Sequence, residues 1–303
     1  MTLVYLRTDL FLSPARTLVN AVNTVGVMGK GLAKSFKQRY PDMYREYRAL
    51  CDRGALKPGK LHLWRGPDKW VLNFPTKTTW RRPSELEYLK AGLERFVARY
   101  ERLGIESISF PPLGCGNGNL DWEVVKPVME KHLRRVKIPV YLHDRQVSSG
   151  FVPRHDEATA KAPPYLFVEL MADLRVLVQR TDPFRTLGQG SPFRAEMTKE
   201  GHLRIRRDGS SEIIPREEIE MSWAVLHRGL LTADQFTQNI ARRSKSYLFS
   251  ILACLPYVQA AEVGRVHSVD RAPTVGYGLF LLPRQRESPA VLLEKQEQLR
   301  LWV

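Results

Sequence analysis

One loop of this sequence has the composition of an anion-binding turn. It runs from Pro112 to Leu120 and carries glycine at three alternate positions, Gly114, Gly116 and Gly118. An apolar, strand-like run precedes it, and a predicted helix begins directly after it, at Asp121. Glycine has no Cβ to hold phosphate oxygens away from the backbone N–H groups, and a helix N-terminus adds further donors. The spacing indicates phosphate binding, although a plain structural turn can have the same composition.

A second glycine-rich turn occurs earlier in the chain. The run 23–36 follows a predicted strand, contains Gly26, Gly29 and Gly31, and continues into a predicted helix. Two loops of this type in one domain are far less expected by chance than one. Together they favour a two-sided phosphate site over two unrelated turns.

Strands and helices are predicted to alternate through the first half of the chain. The predicted strands are 3–6, 17–22, 60–64, 70–74, 105–110 and 140–142, and the predicted helices start near Gly31, Pro41, Glu85 and Asp121. This alternation predicts an α/β fold in which helices cover both faces of a mixed or parallel sheet. Ligands of such sheets bind beyond the carboxyl ends of the strands.

The second half of the chain is organised differently. Residues 146–164 are rich in Ser, Gly, Pro, Ala and charge without a hydrophobic period, which is typical of a linker. We therefore predict a domain over 1–145 and a second over 165–303. The predicted elements of the second are helices at 165–178, 215–229 and 232–256 and strands at 201–209 and 276–282. They indicate a smaller α+β or mainly helical domain.

Composition limits the classes of protein that fit. The chain has 303 residues, is 43% hydrophobic and 26% charged, and contains no apolar run near the roughly 20 residues that a bilayer crossing needs. The N-terminus resembles a strand and not a signal peptide, so we expect a cytoplasmic protein with no membrane partner.

The three cysteines are widely spaced and fit neither a disulfide framework nor a zinc site. No metal or cofactor motif is present. Cys115 lies in the second loop, where a small turn residue is favoured over a nucleophile because no base stands close in sequence.

The positive charge is concentrated in the first half. Residues 1–150 hold 26 Lys and Arg against 14 Asp and Glu, a net charge of +12, whereas residues 151–303 hold 21 against 18, a net charge of +3. A basic excess in one domain indicates a polyanionic partner, with nucleic acid as the leading candidate. Charge alone reports non-specific attraction and does not define a function.

Several motifs, in order and spacing, resemble the macrodomains, which are ADP-ribose-binding α/β/α modules. The closest likeness is to the subgroup that contains the terminal ADP-ribose protein glycohydrolases and the DNA ADP-ribosyl glycohydrolase antitoxins (DarG). The motifs that carry the resemblance are Thr8-Asp9-Leu10-Phe11, Val19-Asn20-Ala21-Val22-Asn23, Met28-Gly29-Lys30-Gly31-Leu32-Ala33, Thr76-Lys77 and Leu113-Gly114-Cys115-Gly116, with Trp122 after them. The resemblance covers roughly residues 1–145 and predicts a macrodomain-like α/β/α sandwich with a mixed central sheet.

Carried over residue by residue, the resemblance implies an ADP-ribose site. Asp9 would accept a hydrogen bond from the adenine amino group, Asn20 and Asn23 would lie along the distal ribose, and the two glycine loops would hold the diphosphate from opposite sides. The implied ligand-binding residues are Asp9, Leu10, Asn20, Asn23, Gly29, Lys30, Gly31, Gly114, Cys115, Gly116, Asn117, Gly118 and Asn119. Structural alternatives remain open, since Asp9 can cap a turn and Asn20 can satisfy backbone groups inside the sheet.

The resemblance also implies that Lys77 is catalytic. A lysine just after an apolar strand and facing a closed phosphate site can lose its charge through desolvation and attack a glycosidic carbon. The protein-directed relatives use an Asp in the second glycine loop, where this sequence has Gly118, and the nearest carboxylate is Asp121. Either Asp121 substitutes for that acid or the chemistry relies on Lys77 alone. The alternative is a solvated lysine on a loop.

The charge of the first half favours ADP-ribose attached to DNA over ADP-ribose attached to an acidic side chain. Trp80, Arg81 and Arg82 follow Lys77 and could hold a single strand by stacking and phosphate contact, although Trp80 could equally be a core residue and the arginines a solvated helix start.

These predictions combine into a two-domain antitoxin. Its first domain would remove ADP-ribose from thymidine in single-stranded DNA, and its second would bind the cognate DNA ADP-ribosyltransferase toxin. The partners expected are therefore ADP-ribosylated single-stranded DNA, ADP-ribose and that toxin. Two alternatives stay open: an ADP-ribose reader that does not cleave, and a nucleic-acid-binding module whose glycine loops are structural. Arg242-Arg243-Ser244-Lys245 on a predicted helix could also make the second domain a DNA-binding module, although such a cluster is usually a solvated face.

Overall fold

The chain forms two compact units. A computed structural model describes residues 3–143, 163–181, 183–207, 209–236, 242–265 and 274–282. The first unit comprises Met1–Val152 with Ala261–Gly278, and the second comprises Pro153–Ala260 with Leu279–Val303. The predicted linker at 146–164 lies, up to residue 162, outside the described residues.

The strands are β1 (Leu3–Leu6), β2 (Thr17–Val22), β3 (His62–Arg65), β4 (Trp70–Pro75), β5 (Ile108–Phe110), β6 (Val140–His143), β7 (Phe184–Arg185), β8 (Pro192–Met197), β9 (Leu203–Arg207), β10 (Ser210–Ile214), β11 (Leu231–Thr232), β12 (Val258–Arg265) and β13 (Thr274–Leu281). The helices are α1 (Gly31–Arg39), α2 (Pro41–Asp52), α3 (Leu86–Arg99), α4 (Trp122–Leu133), α5 (Phe167–Arg180), α6 (Arg216–Arg228) and α7 (Arg242–Leu252). Short 3-10 turns occur at Leu10–Leu12 and Ala233–Gln235.

The first unit is built on a mixed sheet in which β1, β6, β5, β2 and β4 lie side by side in that order. These five strands pair in parallel, and β3 pairs antiparallel with β4. Parallel pairing requires crossover connections, and the helices α1 to α4 provide them. All five carboxyl ends therefore lie at one edge of the sheet.

Helices cover both faces of this sheet. Neighbouring residues on β2 point to opposite faces, because side chains alternate along a strand. Val19 belongs to the core cluster that contains α3 and α4 side chains such as Phe96 and Met129, whereas Leu18 belongs to the cluster that contains Phe36 of α1 and Tyr47 of α2. The α/β/α sandwich with a mixed sheet, expected from the sequence, is confirmed.

One strand of the first unit comes from far along the chain. The last residues of β12 pair antiparallel with β1, and Val4, Tyr5 and Leu6 face Arg265, Gly264 and Val263. The Arg7 guanidinium also forms an ion pair of 3.0 Å with Glu262. The predicted domain boundary, which assigned all of 165–303 to one C-terminal domain, is corrected here for 261–278. No local sequence pattern shows that a distant strand will cover the edge of a sheet.

The second unit contains a four-stranded antiparallel sheet in the order β10, β9, β8, β7, together with helices α5, α6 and α7. Helices predicted at 165–178 and 215–229 correspond to α5 and α6. The predicted helix at 232–256 is shorter, because the Thr232 N–H donates to Gln235 Oε1 at 2.6 Å and closes a 3-10 turn ahead of α7. The helices in the described ranges all lack the length and apolarity that crossing a membrane would require.

Candidate active site

Four loops meet at the carboxyl edge of the parallel strands. The segment after β1 carries Asp9, the first glycine loop (23–31) follows β2, and the second glycine loop (112–120) follows β5. The segment 76–85, here called the lysine segment, follows β4. Since β2 pairs with both β4 and β5, the lysine segment and the two glycine loops emerge from neighbouring strands.

A single side chain closes the first glycine loop. The Asn23 amide nitrogen donates to Val27 O at 2.6 Å, and its oxygen accepts from the N–H groups of Val25 at 3.1 Å and Val27 at 3.2 Å. The Tyr47 hydroxyl donates to the Asn23 carbonyl at 2.8 Å. Asn23 is 5% exposed. The expectation that it lies along a ribose remains a proposal, and in this structure its amide oxygen and one amide N–H shape the loop.

The end of the first glycine loop is open and rich in donors. Gly29, Lys30 and Gly31 are exposed, and Gly31 has the left-handed φ of 56° that favours glycine. Lys30 is the N-cap of α1 and makes no side-chain capping bond. The first N–H groups of a helix have no intrahelical partner, and the helix dipole favours an anion at this end. An anion can therefore bind there.

The second glycine loop is folded back on itself. Leu120 N–H donates to Gly114 O at 3.0 Å, and Asn119, with φ 60°, donates its N–H to Gly116 O at 3.2 Å. A Cβ on Gly118 would lie 2.3 Å from Gly114 O, so the fold requires glycine there. Within the described part of the chain, the N–H groups of Gly116, Asn117 and Gly118 make no hydrogen bond. Three consecutive backbone donors are thus available to an anion.

The lysine segment is joined to both glycine loops. Thr24 of the first loop donates from its N–H and its hydroxyl to Thr78 O, both at 3.0 Å. At the other end of the segment, the Ser84 N–H donates to Gly118 O at 2.8 Å, and the Ser84 hydroxyl donates to the buried Thr76 hydroxyl at 3.0 Å. These bonds hold Lys77, which follows Thr76, between the two loops.

Lys77 itself contacts the second loop. Its Nζ donates to Asn117 O at 2.7 Å, and the side chain is half-buried. Desolvation lowers the pKa of Lys77 below its usual value. A Cβ on Gly31 would lie 2.7 Å from Asn117 Nδ2, which shows that the two glycine loops approach each other at this point. The site therefore has a lysine with a lowered pKa beside two groups of free N–H donors.

The segment after β1 forms a capped turn with an exposed carboxylate. Asp9 is exposed and accepts from the Phe11 N–H at 2.9 Å, so its carboxylate also caps the 3-10 turn that follows. Leu10 is buried in the core cluster with Phe36. The cap orients the Asp9 carboxylate, and its exposure keeps that carboxylate accessible.

Asn20 connects two strands of the sheet through its side chain. It is fully buried in β2 and donates from Nδ2 to Asn73 Oδ1 of β4 at 3.0 Å. Its Oδ1 is buried and has no hydrogen-bond partner among the described residues. In this structure the side chain links β2 to β4, and its expected place along the distal ribose stays a prediction. Motif spacing could not separate these outcomes, because both need an Asn at the same position.

Local contacts indicate structural roles for Asp121 and Cys115. Asp121 caps α4 by accepting from the Glu123 N–H at 3.0 Å, and no hydrogen bond or ion pair joins it to Lys77 in the described ranges. Cys115 Sγ donates to Leu113 O at 3.4 Å and is half-buried in the turn. Asp121 thus has a capping role, and Cys115 has the environment of a turn residue.

An aromatic and cationic surface lies beside Lys77. Trp80 is 54% exposed, which excludes the core position that the sequence left open. The Arg81 guanidinium lies 4.6 Å from the centroid of the Trp80 ring, and Arg82 is exposed. A stacked, exposed aromatic–arginine pair can receive a nucleobase and a phosphate.

Sequence reasoning did not find the residues that fix Lys77 in place. Thr24, Thr76 and Ser84 act through bonds between segments that are distant in sequence. The sequence contained only a weak signal for them: Thr76 and Ser84 lie on either side of Lys77 in the chain, and Ser84 follows Pro83.

Comparisons with known proteins support the fold of the first unit. A Macro domain family model matches residues 19–129. The DNA ADP-ribosyl glycohydrolase of Thermus aquaticus is 42% identical over 145 residues, which are 46% of this chain and 40% of that protein. A DNA ADP-ribosyl transferase–DNA ADP-ribosyl glycohydrolase fusion protein of Thermosipho africanus is 37% identical over 154 residues, 45% of this chain and 40% of that protein. The solved macrodomain of Thermus aquaticus DarG is 42% identical, with coverage of 46% of this chain and 96% of that chain and a TM-score of 0.44.

This chain spans less than half the length of these two curated relatives. The Macro domain match over residues 19–129 contains both glycine loops, Lys77 and most of the parallel strands. The family match and the sheet between two helical layers agree: the N-terminal unit of this chain belongs to the Macro domain family and is similar to the macrodomains of the DNA ADP-ribosyl glycohydrolases.

Proposed function

We propose that this protein is a DNA ADP-ribosyl glycohydrolase antitoxin. Its macrodomain would remove ADP-ribose from thymidine in single-stranded DNA, and its second unit would bind and restrain a cognate DNA ADP-ribosyltransferase. The names of the Thermus aquaticus and Thermosipho africanus relatives support the first activity, and the fusion of transferase with glycohydrolase in the latter supports the partner.

One observation carries the catalytic part of the proposal. Lys77 Nζ is held 2.7 Å from Asn117 O, where the two glycine loops approach, and its pKa is lowered. The N–H groups at the start of α1 and those of 116–118 can neutralise a diphosphate between them. A diphosphate bound there would bring the attached ribose to the lysine.

The proposed reaction is nucleophilic substitution at the anomeric carbon of the distal ribose. The lone pair of the neutral Lys77 amine forms a C–N bond while the glycosidic bond breaks, and the released electron pair goes to the nitrogen of the base. The base takes up the proton that the amine loses. Water then adds at the anomeric carbon, releases ADP-ribose and regenerates the amine. Asp121 is not required, which agrees with its capping role.

Hydrolysis of an ADP-ribosylated oligonucleotide tests the proposal directly. The wild type should release ADP-ribose, and Lys77→Ala should reduce the rate by roughly a thousandfold. Lys57→Ala, which removes an exposed lysine outside these loops, is the matched control and should retain the wild-type rate. Full activity of Lys77→Ala would remove Lys77 from the mechanism.

An ADP-ribosylated protein assayed in parallel should react more slowly than the DNA, because Trp80 and Arg81 offer contacts that only a nucleic acid uses fully.

A non-catalytic reader is the second candidate, and one contact favours it. Since the Lys77 ammonium donates to a backbone carbonyl, the side chain could simply pin the second loop. A reader would bind ADP-ribose in calorimetry and release no product over long incubation. If the protein does not bind ADP-ribose at all, both candidates fail, and the glycine loops are structural parts of a nucleic-acid-binding module.

The toxin-binding role is tested with the full chain carrying Lys77→Ala, which cannot reverse the modification if the proposed mechanism holds. Added to the cognate transferase and single-stranded DNA, this variant should still lower the rate of ADP-ribosylation. An unchanged transferase rate, with no complex detected by size-exclusion chromatography, would contradict the role of the second unit.

A further inference from the structure

A buried histidine that the proposed mechanism does not use lies at the carboxyl edge of the parallel strands. His143 is the last residue of β6 and pairs with Leu6, the last residue of β1. It is 4% exposed. Two residues beyond Leu6 is Thr8, and Asp9 follows it. His143 therefore ends its strand at the same edge of the sheet as the loops of the candidate site.

The His143 ring holds the backbone of the segment after β1. Its Nδ1 lies 3.1 Å from Thr8 O and 3.4 Å from Thr8 Oγ1. Burial lowers the pKa of His143 to about 4, and the charge of Lys69 acts in the same direction. The ring is thus neutral at physiological pH and carries one proton. Since a carbonyl oxygen can only accept, that proton is on Nδ1 and is donated to Thr8 O.

The second ring nitrogen of His143 has no such contact. Nε2 is buried and finds no hydrogen-bond partner among the described residues. A buried polar atom without a partner costs free energy, so an apolar ring would fill the same space at a lower cost. Packing alone therefore does not account for a histidine at this position, whereas the bond to Thr8 O does.

A second buried cation holds the far end of the same segment. Lys69, which precedes β4, donates from Nζ to Ser13 O at 2.7 Å and to Ala15 O at 2.6 Å. Desolvation lowers the pKa of Lys69 to about 8. The segment after β1 is thus attached to the sheet at its start by His143 and at its end by Lys69. Asp9 lies between these attachments with its side chain exposed.

We infer that His143 is a positioning residue for adenine recognition by Asp9. The inference rests on the proposed function, in which ADP-ribose binds this site, and on the predicted contact between Asp9 and the adenine amino group. That contact depends on where the carboxylate oxygens lie, because hydrogen bonds are directional. His143 fixes the peptide unit between Thr8 and Asp9, so the loss of its Nδ1–H lets the carboxylate move. Among the described residues, no hydrogen bond joins His143 to Lys77 or to either glycine loop, and the effect is therefore confined to the adenine end.

Isothermal titration calorimetry with ADP-ribose and with inosine diphosphate ribose tests this inference. Hypoxanthine, the base of the second ligand, lacks the amino group, so the wild type should prefer ADP-ribose. His143→Phe keeps a buried ring but removes the donor, and should weaken ADP-ribose binding about fivefold while binding of the inosine ligand changes little. His143→Leu removes the donor with a smaller side chain and should give the same loss. His143→Asn offers an amide N–H near the Nδ1 position and should restore most of the affinity.

The matched control is His132→Phe. His132 is also buried, and its Nδ1 lies 2.8 Å from a backbone carbonyl, that of Val128, but it is in the last turn of α4. This variant should bind both ligands like the wild type. Urea denaturation of every variant separates a change in affinity from a loss of fold. In hydrolysis of ADP-ribosylated oligonucleotide, His143→Phe should raise KM and leave kcat within about twofold of the wild type.

An Asp9→Ala background sharpens the test. If His143 acts through Asp9, His143→Phe should have no further effect on ADP-ribose affinity there, because residues that act as a unit are not additive. A loss that persists in this background would overturn the inference.

Other outcomes would also overturn it. These are an unchanged ADP-ribose affinity of His143→Phe, an equal weakening of both ligands, the same loss in His132→Phe, or a wild type that does not prefer ADP-ribose. Hydrolysis of ADP-ribosylated DNA by the wild type together with any of these results sinks only the inference. If the His143 variants behave as expected but the wild type does not hydrolyse ADP-ribosylated DNA, the catalytic part of the proposed function fails and this inference stands.

Discussion

The two glycine loops have similar compositions, but they are held by different interactions. The first is closed by its own Asn23 side chain, which bonds Val25 and Val27. The second is closed by backbone bonds between Gly114 and Leu120 and is fastened from outside by Ser84 and Lys77. The first loop is thus closed mainly by its own side chain and is tied to the lysine segment through Thr24, whereas the second loop contacts Lys77 itself.

Because of this difference, we expect changes in the first loop to affect mainly ligand binding and changes in the second loop to affect mainly catalysis. A change in the Asn23 closure of the first loop should alter the donors at the start of α1 and affect Lys77 less, because Thr24 makes that loop's bonds to the lysine segment. A change in the second loop should move Asn117 O and Lys77 Nζ together, because they are 2.7 Å apart. The variants below test this separation.

The largest effect on stability is expected for Gly118→Ala. Its Cβ would lie 2.3 Å from both Gly114 O and Ser84 Oγ, so the loop and the lysine segment must shift. We expect a loss of about 3 kcal/mol in the free energy of unfolding, measured by urea denaturation, together with loss of hydrolysis. Gly29→Ala in the first loop is the control. The nearest atom to its Cβ would be Val27 Cγ1 at 3.9 Å, so stability should be retained. An equal loss in the free energy of unfolding for both variants would contradict the expected difference between the two loops.

Asn23→Ala should lower the free energy of unfolding by about 2 kcal/mol, because it removes one donated and three accepted hydrogen bonds at a buried position. ADP-ribose affinity in calorimetry should fall with it, since the first loop loses its closure. The rate of hydrolysis at saturating substrate should change little. A collapse of that rate with unchanged affinity would show that the first loop also positions Lys77.

Ser84→Ala should show the reverse pattern at a smaller cost. The lost hydroxyl bond to Thr76 is worth about 1 kcal/mol of stability, while the Ser84 N–H bond to Gly118 O remains. We expect kcat to fall several-fold with ADP-ribose affinity retained. Thr24→Val removes the matching hydroxyl of the first loop and should leave kcat nearer the wild type, because the Thr24 N–H still donates to Thr78 O. Steady-state kinetics of both variants decide the point.

The smallest effect is expected in the pH dependence. In the proposed mechanism only the neutral amine of Lys77 attacks, and desolvation disfavours its ammonium form. The rate should therefore rise with pH and level off below the value of 10.5 usual for lysine. Lys77→Ala should show no such inflection in its residual rate. A profile that keeps rising to 10.5 would mean that Lys77 is not desolvated in the enzyme–substrate complex.

Local sequence patterns predicted much of the first unit and less of the second. The strands and helices from β1 to β6 were all predicted, because the hydrophobic period changes clearly between them and glycine or proline marks their ends. Strands β7, β8, β10, β11 and β12 were not predicted. They are stabilised by cross-strand pairing that a single segment does not reveal.

Within the candidate site, the sequence alone determined the residue types: the glycines that permit left-handed backbone or close approach, the lysine after β4, and the macrodomain resemblance. Only the tertiary structure decided how they are used. It placed Asn20 inside the sheet, engaged Asn23 in a turn, exposed Trp80 and joined Ser84 to Gly118. It also paired β12 with β1. Backbone preferences are local and can be inferred from neighbouring residues, whereas the partner of a buried amide, a hydroxyl or an edge strand depends on which distant segments the fold brings together.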